Sequence, residues 1–278
     1  MFNLKLFLPI LVIILNLSFA KGQNPSAYKL VWADEFSKNG IPDPSNWTYE
    51  KGFVRNNEYQ WYQPENARVE NGKLIIEAKR VAQVNPAYIA GNRDWRKNRD
   101  SIHYTSGCLI TKGLHSWQYG RFIMRGRIDI SNGMWPTWWT LGLYKEWSAS
   151  GEIDMMEYYR KKLLANIACL AKDHKPEWFI NRFNIDSMGG KNWAAKFHTW
   201  RMDWNDKFIA LYVDDQLLNK VSLDSLINKD GSGFNPFKQP HYMLLNLAIG
   251  GDNGGDPSQT SFPRKFEIDY VRVYQKVR

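Results

Sequence analysis

Apolar and polar residues alternate at a period of two through much of this chain, the pattern of strands that put one face on a core. In YGRFIMRGRIDI, residues 119–130, Phe122, Met124, Ile128 and Ile130 alternate with Arg121, Arg125, Arg127 and Asp129. KFEIDYVRVYQK, residues 265–276, sets Phe266, Ile268 and Tyr270 against Glu267, Asp269 and Val271. FIALYVDDQLL (208–218) and HYMLLNLAIGG (241–251) read as further strands. ARVENGKLIIEAKR (67–80) places Asn71-Gly72 between two β-prone runs, a hairpin turn signal. Only LDSLIN, residues 223–228, looks helical. So many short strands with almost no helix predict an all-β sandwich or barrel. No repeat, low-complexity tract or Pro/Ser-rich linker divides residues 21–278, which therefore read as one domain, expected to be monomeric.

Residues 1–20 stand apart. Lys5 precedes an apolar run from Leu6 to Leu17, and Ser18-Phe19-Ala20 follows with small residues at both ends. A positive start, a short apolar stretch and such an ending describe a secretory signal peptide. The run is shorter than the ~20 residues a bilayer span needs, so no membrane span is expected. The mature chain is predicted to be secreted, periplasmic or at the cell surface. Losing residues 1–20 removes one lysine and no acid, so the formal charge falls from +9 to +8. Such a balance suits nucleic acid or an acidic polymer. The basic residues are scattered, however, and no nucleic-acid-binding motif is present. Nucleic acid is excluded as a partner, and an anionic polysaccharide stays open.

Two cysteines cannot build a disulfide scaffold or a four-thiolate zinc site. Cys108 and Cys169 both fall in strand-like segments, and spacing leaves pairing or two free thiols open. His103, His115, His174, His198 and His241 show no metal-ligand spacing. Aromatic residues reach 15%, including 13 Trp, enough to fill a core and still expose rings for a purpose.

The segment GEIDMMEYY, residues 151–159, carries the chemistry. In a strand, Glu152 and Asp154 share a face while Ile153 and Met155 turn to the core. Glu157, five positions after Glu152, would fall on the opposite face. One extra residue, a β-bulge around Met155-Met156, returns it to the acidic face. Three carboxylates on one face repel one another, and a catalytic pair with one member ionised and the other protonated justifies the arrangement. Glycosidic hydrolysis with retained configuration needs such a pair ~5–5.5 Å apart. A solvated acidic face and a calcium site are the competing readings. Just upstream, GMWPTWWTLG places Trp135 and Trp139 on one parity and Trp138 on the other. The first two are expected to face sugar rings and the third to enter the core.

GEIDMMEYY preceded by MWPTWWTLG resembles the active-site signature of glycoside hydrolase family 16. YKLVWADEF, RNNEYQWY, YTSGCLITKG, FHTWRMDW, YVDDQLL and FEIDYVRVYQ resemble further family segments, in family order. The resemblance implies a β-jelly-roll of two curved antiparallel sheets around an open cleft. It implies Glu152 as nucleophile, Glu157 as general acid/base and Asp154 as the residue that tunes the nucleophile. The two residues between Asp154 and Glu157 resemble the laminarinase, agarase, carrageenase and porphyranase branch. Arg55, Asn56, Asn57 and Glu58 match a polar segment reaching the cleft. No cofactor is implied for the chemistry. One structural calcium is implied at Glu35, Asp269 and a carbonyl near Gly72, a hard-oxygen set suited to that ion.

The expected activity is retaining endo-hydrolysis of a β-linked polysaccharide, foremost a β-1,3-glucan. Gly250-Gly251 leads into DNGGD (252–256), and ANIACLAKDHKPEWF (165–179) follows the catalytic strand; both depart from the laminarinase pattern where a cleft wall would lie. A β-galactan or host glycan is therefore the alternative. A non-catalytic carbohydrate-binding relative and a transglycosylase are the competing classes.

Overall fold

The alternating segments pair into two sheets stacked on each other. A computed structural model describes residues 28–277, and the expected leader at residues 1–20 lies outside them. In chain order the strands are β1 Tyr28–Asp34, β2 Thr48–Tyr49, β3 Gln60–Tyr62, β4 Ala67–Val69, β5 Leu74–Val84, β6 Ser101–Ser106, β7 Cys108–Ile110, β8 Gly120–Arg127 and β9 Met134–Gly142. They continue with β10 Glu152–Tyr159, β11 Lys162–Leu170, β12 Pro176–Asn184, β13 His198–Trp204, β14 Phe208–Val213, β15 Gln216–Ser222, β16 His241–Ile249 and β17 Arg264–Lys276. One sheet has ten strands, in the order β15-β14-β13-β8-β17-β5-β6-β3 with β1 on β17 and β4 on β5. The other has seven, β12-β11-β10-β9-β16-β7-β2. This two-sheet sandwich fits the jelly-roll expectation.

Local chemistry explains the joints. The β4–β5 hairpin turns at Asn71 and Gly72, both at positive φ (52° and 70°), as the Asn-Gly signal demands. Phe122 and Met124 of β8, Trp200 and Met202 of β13, and Phe266 and Ile268 of β17 turn inward and are fully buried. From the seven-stranded sheet, Trp138, Met155, Met156 and Leu245 meet them in the same core. Each such side chain contributes roughly 1.5–3 kcal/mol by leaving water. LDSLIN forms only one 3-10 turn, Leu223–Leu226. Three short helices, Trp95–Asn98, Gly190–Ala194 and Gly251–Gly254, sit in connections where no helical period announced them.

Strand β17 corrects one expectation. Its register shifts between Ile268 and Tyr270, a bulge at Asp269. Beyond it the parity flips, so Val271 and Val273 are buried while Tyr270 faces outward under Arg272. Both cysteines are free and buried. Among the described residues no helix is long and apolar enough to cross a membrane.

Candidate active site

A cavity of ≈ 400 Å³ opens on the face of the seven-stranded sheet that turns away from the core. Strand β10 supplies its centre. Against β9, Asp154 pairs with Trp139 and Met156 with Trp138, so Met155 is the extra residue. The same bulge appears against β11, between the pairs Asp154–Asn166 and Glu157–Leu164. Met155 and Met156 both enter the core, and Glu152, Asp154 and Glu157 all line the cavity. Gly151 opens the strand at φ 76°, where an added Cβ would meet Pro236 at 2.7 Å. That conformation and close approach favour glycine immediately before Glu152.

The three carboxyls share one buried patch and differ in their donors. Trp147 donates its indole N–H to Glu152. Trp135 Nε1 donates to Glu157 Oε1 at 2.8 Å, and Asn166 Nδ2 to Glu157 Oε2 at 2.8 Å. Asn166 also reaches Asp154 Oδ2 at 3.3 Å, while Asp154 Oδ1 has no N–H donor among the described residues. Burial pushes all three up the pH scale. Glu157 rises to about 8, with the charge of Glu152 adding to desolvation and the indole of Trp135 opposing it. Asp154 is held well above the carboxylate range by burial and by Glu152 and Glu157 on either side. Glu152 is also raised by burial, but the Trp147 N–H, a hydrogen bond with Asp154 and the charge of Arg55 all favour its ionised form. Burial and acidic neighbours thus favour the protonated form of Asp154 and Glu157, while the donors gathered around Glu152 favour its ionised form. A protonated Asp154 is the member of the pair able to donate to Glu152.

The other residues singled out in the sequence divide. Arg55, Asn56 and Glu58 line the cavity. Asn57 does not; its amide ties this loop to Asp252 at 3.0 Å. Glu58 is buried and accepts from Gln60 at 2.6 Å, Asn56 at 3.2 Å and Tyr62 at 3.3 Å. Trp138 enters the core as expected. Trp135 and Trp139 line the cavity but are 5% and 6% exposed. The Trp139 indole donates to Asn246 at 2.7 Å, and the guanidinium of Arg55, paired with Glu50, covers its ring at 5.0 Å. The ring face expected to meet sugar therefore meets arginine.

The open indoles are Trp147, 53% exposed, and Trp178, 38% exposed, both at the cavity. Sequence reasoning missed both. Trp147 sits in a loop, and Trp178 lies on β12, whose alternation of Trp178, Ile180 and Arg182 with Phe179 and Phe183 was the available signal. Both acids expected at calcium are paired with arginine. Arg272 grips Glu35 with two hydrogen bonds at 2.7 and 2.8 Å, and Arg125 holds Asp269 at 2.5 Å. Among the described residues no group of three or more His, Cys, Asp or Glu could hold a metal.

Comparisons with known proteins converge on one family. The sequence model of Glycosyl hydrolases family 16 matches residues 55–272. Beta-glucanase of Rhodothermus marinus is 32% identical over 268 residues, which cover 90% of this chain and 86% of that protein. The crystal structure of SCLam, a non-specific endo-beta-1,3(4)-glucanase from family GH16, is 36% identical, with a TM-score of 0.73 over 91% of this chain and 93% of that one. A structure from work on endo-acting O-glycanases, expressed by prominent members of the human gut microbiota to initiate mucin breakdown, is 32% identical. Its TM-score is 0.82, over 91% of this chain and 92% of that one.

The raised position of Glu157 has a measurable effect on stability. A carboxyl that ionises near pH 4.3 when unfolded and at about 8 when folded contributes fully below the lower value. Its contribution is lost progressively as pH climbs to the upper one, at about 1.4 kcal/mol per pH unit. Glu157→Gln cannot ionise but turns an NH2 toward one of the two donors, so its effect on Tm should be more favourable at pH 9 than at pH 4 by roughly 5 °C or more. Equal effects at both pH values would contradict a proton held on Glu157.

Proposed function

Because this chain belongs to glycosyl hydrolase family 16, we propose that it is a retaining endo-β-glycanase whose substrate is a β-1,3-linked glucan. The observation that carries the reading is the bulged strand β10, which brings Glu152, Asp154 and Glu157 together on one buried patch of the cavity. Glu152, ionised, attacks the anomeric carbon of the sugar bound across the strand. Glu157, protonated, gives its proton to the departing glycosidic oxygen. Esterification of Glu152 removes the charge that helps hold Glu157 protonated, so Glu157 can ionise and take a proton from the attacking water. Asp154, through its hydrogen bond, keeps the Glu152 carboxylate oriented. Trp135 and Asn166 fix both oxygens of Glu157. Beta-glucanase and SCLam support the glucan as substrate.

A second reading rests on one observation. Backbone likeness is higher to the mucin O-glycanase than to SCLam, although sequence identity is lower. It assigns the same chemistry to a mucin-type glycan, and a substrate panel separates the two. Laminarin, mixed-linkage β-glucan, β-galactan and mucin O-glycans are incubated with the protein and reducing ends are counted. Laminarin should yield oligosaccharides with retained anomeric configuration in the first minutes by NMR. Glu152→Gln and Glu157→Gln should each lose several orders of magnitude in rate. Activity should decline as pH rises through about 8, where Glu157 gives up its proton. Inverted product would sink the double displacement, and turnover confined to mucin glycans would replace the glucan with the second reading.

Two further parts of this proposal concern the chain outside the cavity. Export follows from Lys5, the apolar run and Ser18-Phe19-Ala20, and the secreted protein should begin near Lys21 on N-terminal sequencing. A structural calcium would have to displace Arg272 from Glu35 and Arg125 from Asp269. A chelator should lower Tm if the ion is held there, and an unchanged Tm removes it.

A further inference from the structure

One cation, Arg182, stands on the cavity-side face beyond the residues that line the cavity itself, near enough for its charge to reach Glu157. Strand β12 is the edge of the seven-stranded sheet. Phe179 and Phe183 pack on the core, so Trp178, Ile180 and Arg182 share the opposite, cavity-side face, and all three are exposed. Register fixes their places. Glu152 pairs with Ala168 and Ala168 with Trp178; Asp154 pairs with Asn166 and Asn166 with Ile180; Glu157 pairs with Leu164 and Leu164 with Arg182. Each of the three thus stands two strands from a carboxyl, roughly 10 Å at about 4.8 Å per strand.

The scissile bond must lie between Glu152 and Glu157, which are separated along one strand, so the bound polymer runs across the strands. On the β12 side its next sugars pass over Asn166 and Ile180. Trp178 then stands on one flank and Arg182 on the other. Trp178 has no aromatic or cationic partner among the described residues, so its ring is free to stack on a sugar. Arg182 is equally free. Arg121, Arg125, Arg127, Arg201 and Arg272 on the other sheet each hold an acid, whereas Arg182 makes no ion pair among the described residues. Tyr159 shares the face of Glu157 and feels the charges of both Arg182 and Arg160. The carboxylates nearby are engaged: Glu157 is bound by Trp135 and Asn166, and Asp252 by Asn57. A neutral sugar gives a free guanidinium nothing to neutralise.

We propose that this corner binds an anionic substituent, a sulfate ester or a carboxylate, on a sugar beside the cleavage point, with Arg182 reading it and Trp178 supporting the ring. The planar guanidinium offers two parallel donors to either group. The proposal rests on the endo-glycanase reading for the direction of the bound chain.

The test matches backbones and varies only charge. kcat/KM is measured on laminarin, on the same laminarin chemically sulfated, and on laminarin oxidised at C6 to the uronic acid. A galactose-based pair, keratan sulfate before and after desulfation, extends the test to the second reading. At low salt the better anionic form of a pair should exceed its neutral form by about tenfold or more, an advantage that 0.5 M NaCl erodes. In Arg182→Ala that ratio should fall toward one, and in Arg182→Lys it should recover in part. A ratio cancels any effect of the substitution on Glu157 itself. The sulfated and oxidised arms tell the two anions apart. A ratio near one in the unaltered protein, or one that Arg182→Ala leaves unchanged, overturns the proposal. If no probe is hydrolysed, affinity electrophoresis of Glu152→Gln on the same polymers decides. A preference for the anionic form that vanishes on adding Arg182→Ala keeps the anion site and sinks the hydrolase reading, and no preference sinks the site.

Discussion

Three carboxyl groups occupy one buried patch of sheet, and the repulsion among them governs how the rest of the site is built. Fully ionised, the patch would carry three negative charges in a poorly solvated place, each opposed by burial and by its neighbours. The protein resolves this by titration. It surrounds each carboxyl with a different set of donors, and the groups that favour ionisation, an indole N–H, Asp154 and the field of Arg55, meet at Glu152. Asp154 has the amide of Asn166 and two acidic neighbours, and it keeps its proton. Glu157 has two donors and still ionises only at about 8, because burial outweighs them.

Much of this was legible in the sequence because the period of a strand is two and a single extra residue reverses parity. GEIDMMEYY leaves Glu157 on the wrong face unless a residue is inserted, and the inserted residue is Met155. The same arithmetic failed at β17, where no acidic or apolar mismatch marked the bulge at Asp269 and Tyr270 was assigned inward in place of Val271. Parity correctly put Trp135 and Trp139 on the cavity side but could not reveal what else lies there. Arg55 arrives from 84 residues upstream to cover Trp139, a contact between segments that no local pattern encodes. The exposed indoles were missed for a related reason. Trp147 reaches Glu152 from a loop, and the stripe on β12 acquires meaning only once β11 sets its register against β10.

The covering of Trp139 belongs to a wider buried network. Glu50 pairs with Arg55 and accepts from the Cys108 thiol at 3.1 Å, a thiol that burial and Glu50 push upward. Trp139 donates to Asn246, Asn246 to the Tyr62 hydroxyl at 3.0 Å, and that hydroxyl to Glu58 at 3.3 Å. Polar groups this deep are stable only when nearly all are partnered, and together they hold this wall of the cavity in one geometry. Arg55 gains a fixed position from it, and Glu152 gains a cation that cannot drift away.

The two ends of the cavity are therefore built on different principles. At the Arg55 end the cation is paired with Glu50 and sits beside a chain of hydrogen bonds that runs from Trp139 to Glu58. At the β12 end an indole and a guanidinium stand without a charged partner among the described residues, at the edge of the sheet, where side chains can change without disturbing β9, β10 or the core between the sheets. In the proposed function bond cleavage uses β9, β10 and β11, and the 50–58 loop, the 143–151 loop and β12 are the segments left to choose the polymer. That separation explains how one fold and one acidic trio can resemble both a glucanase and a mucin O-glycanase. The residues that break the bond are constrained by mutual repulsion to a single arrangement, while those that choose the chain around the bond are constrained only by the chain itself.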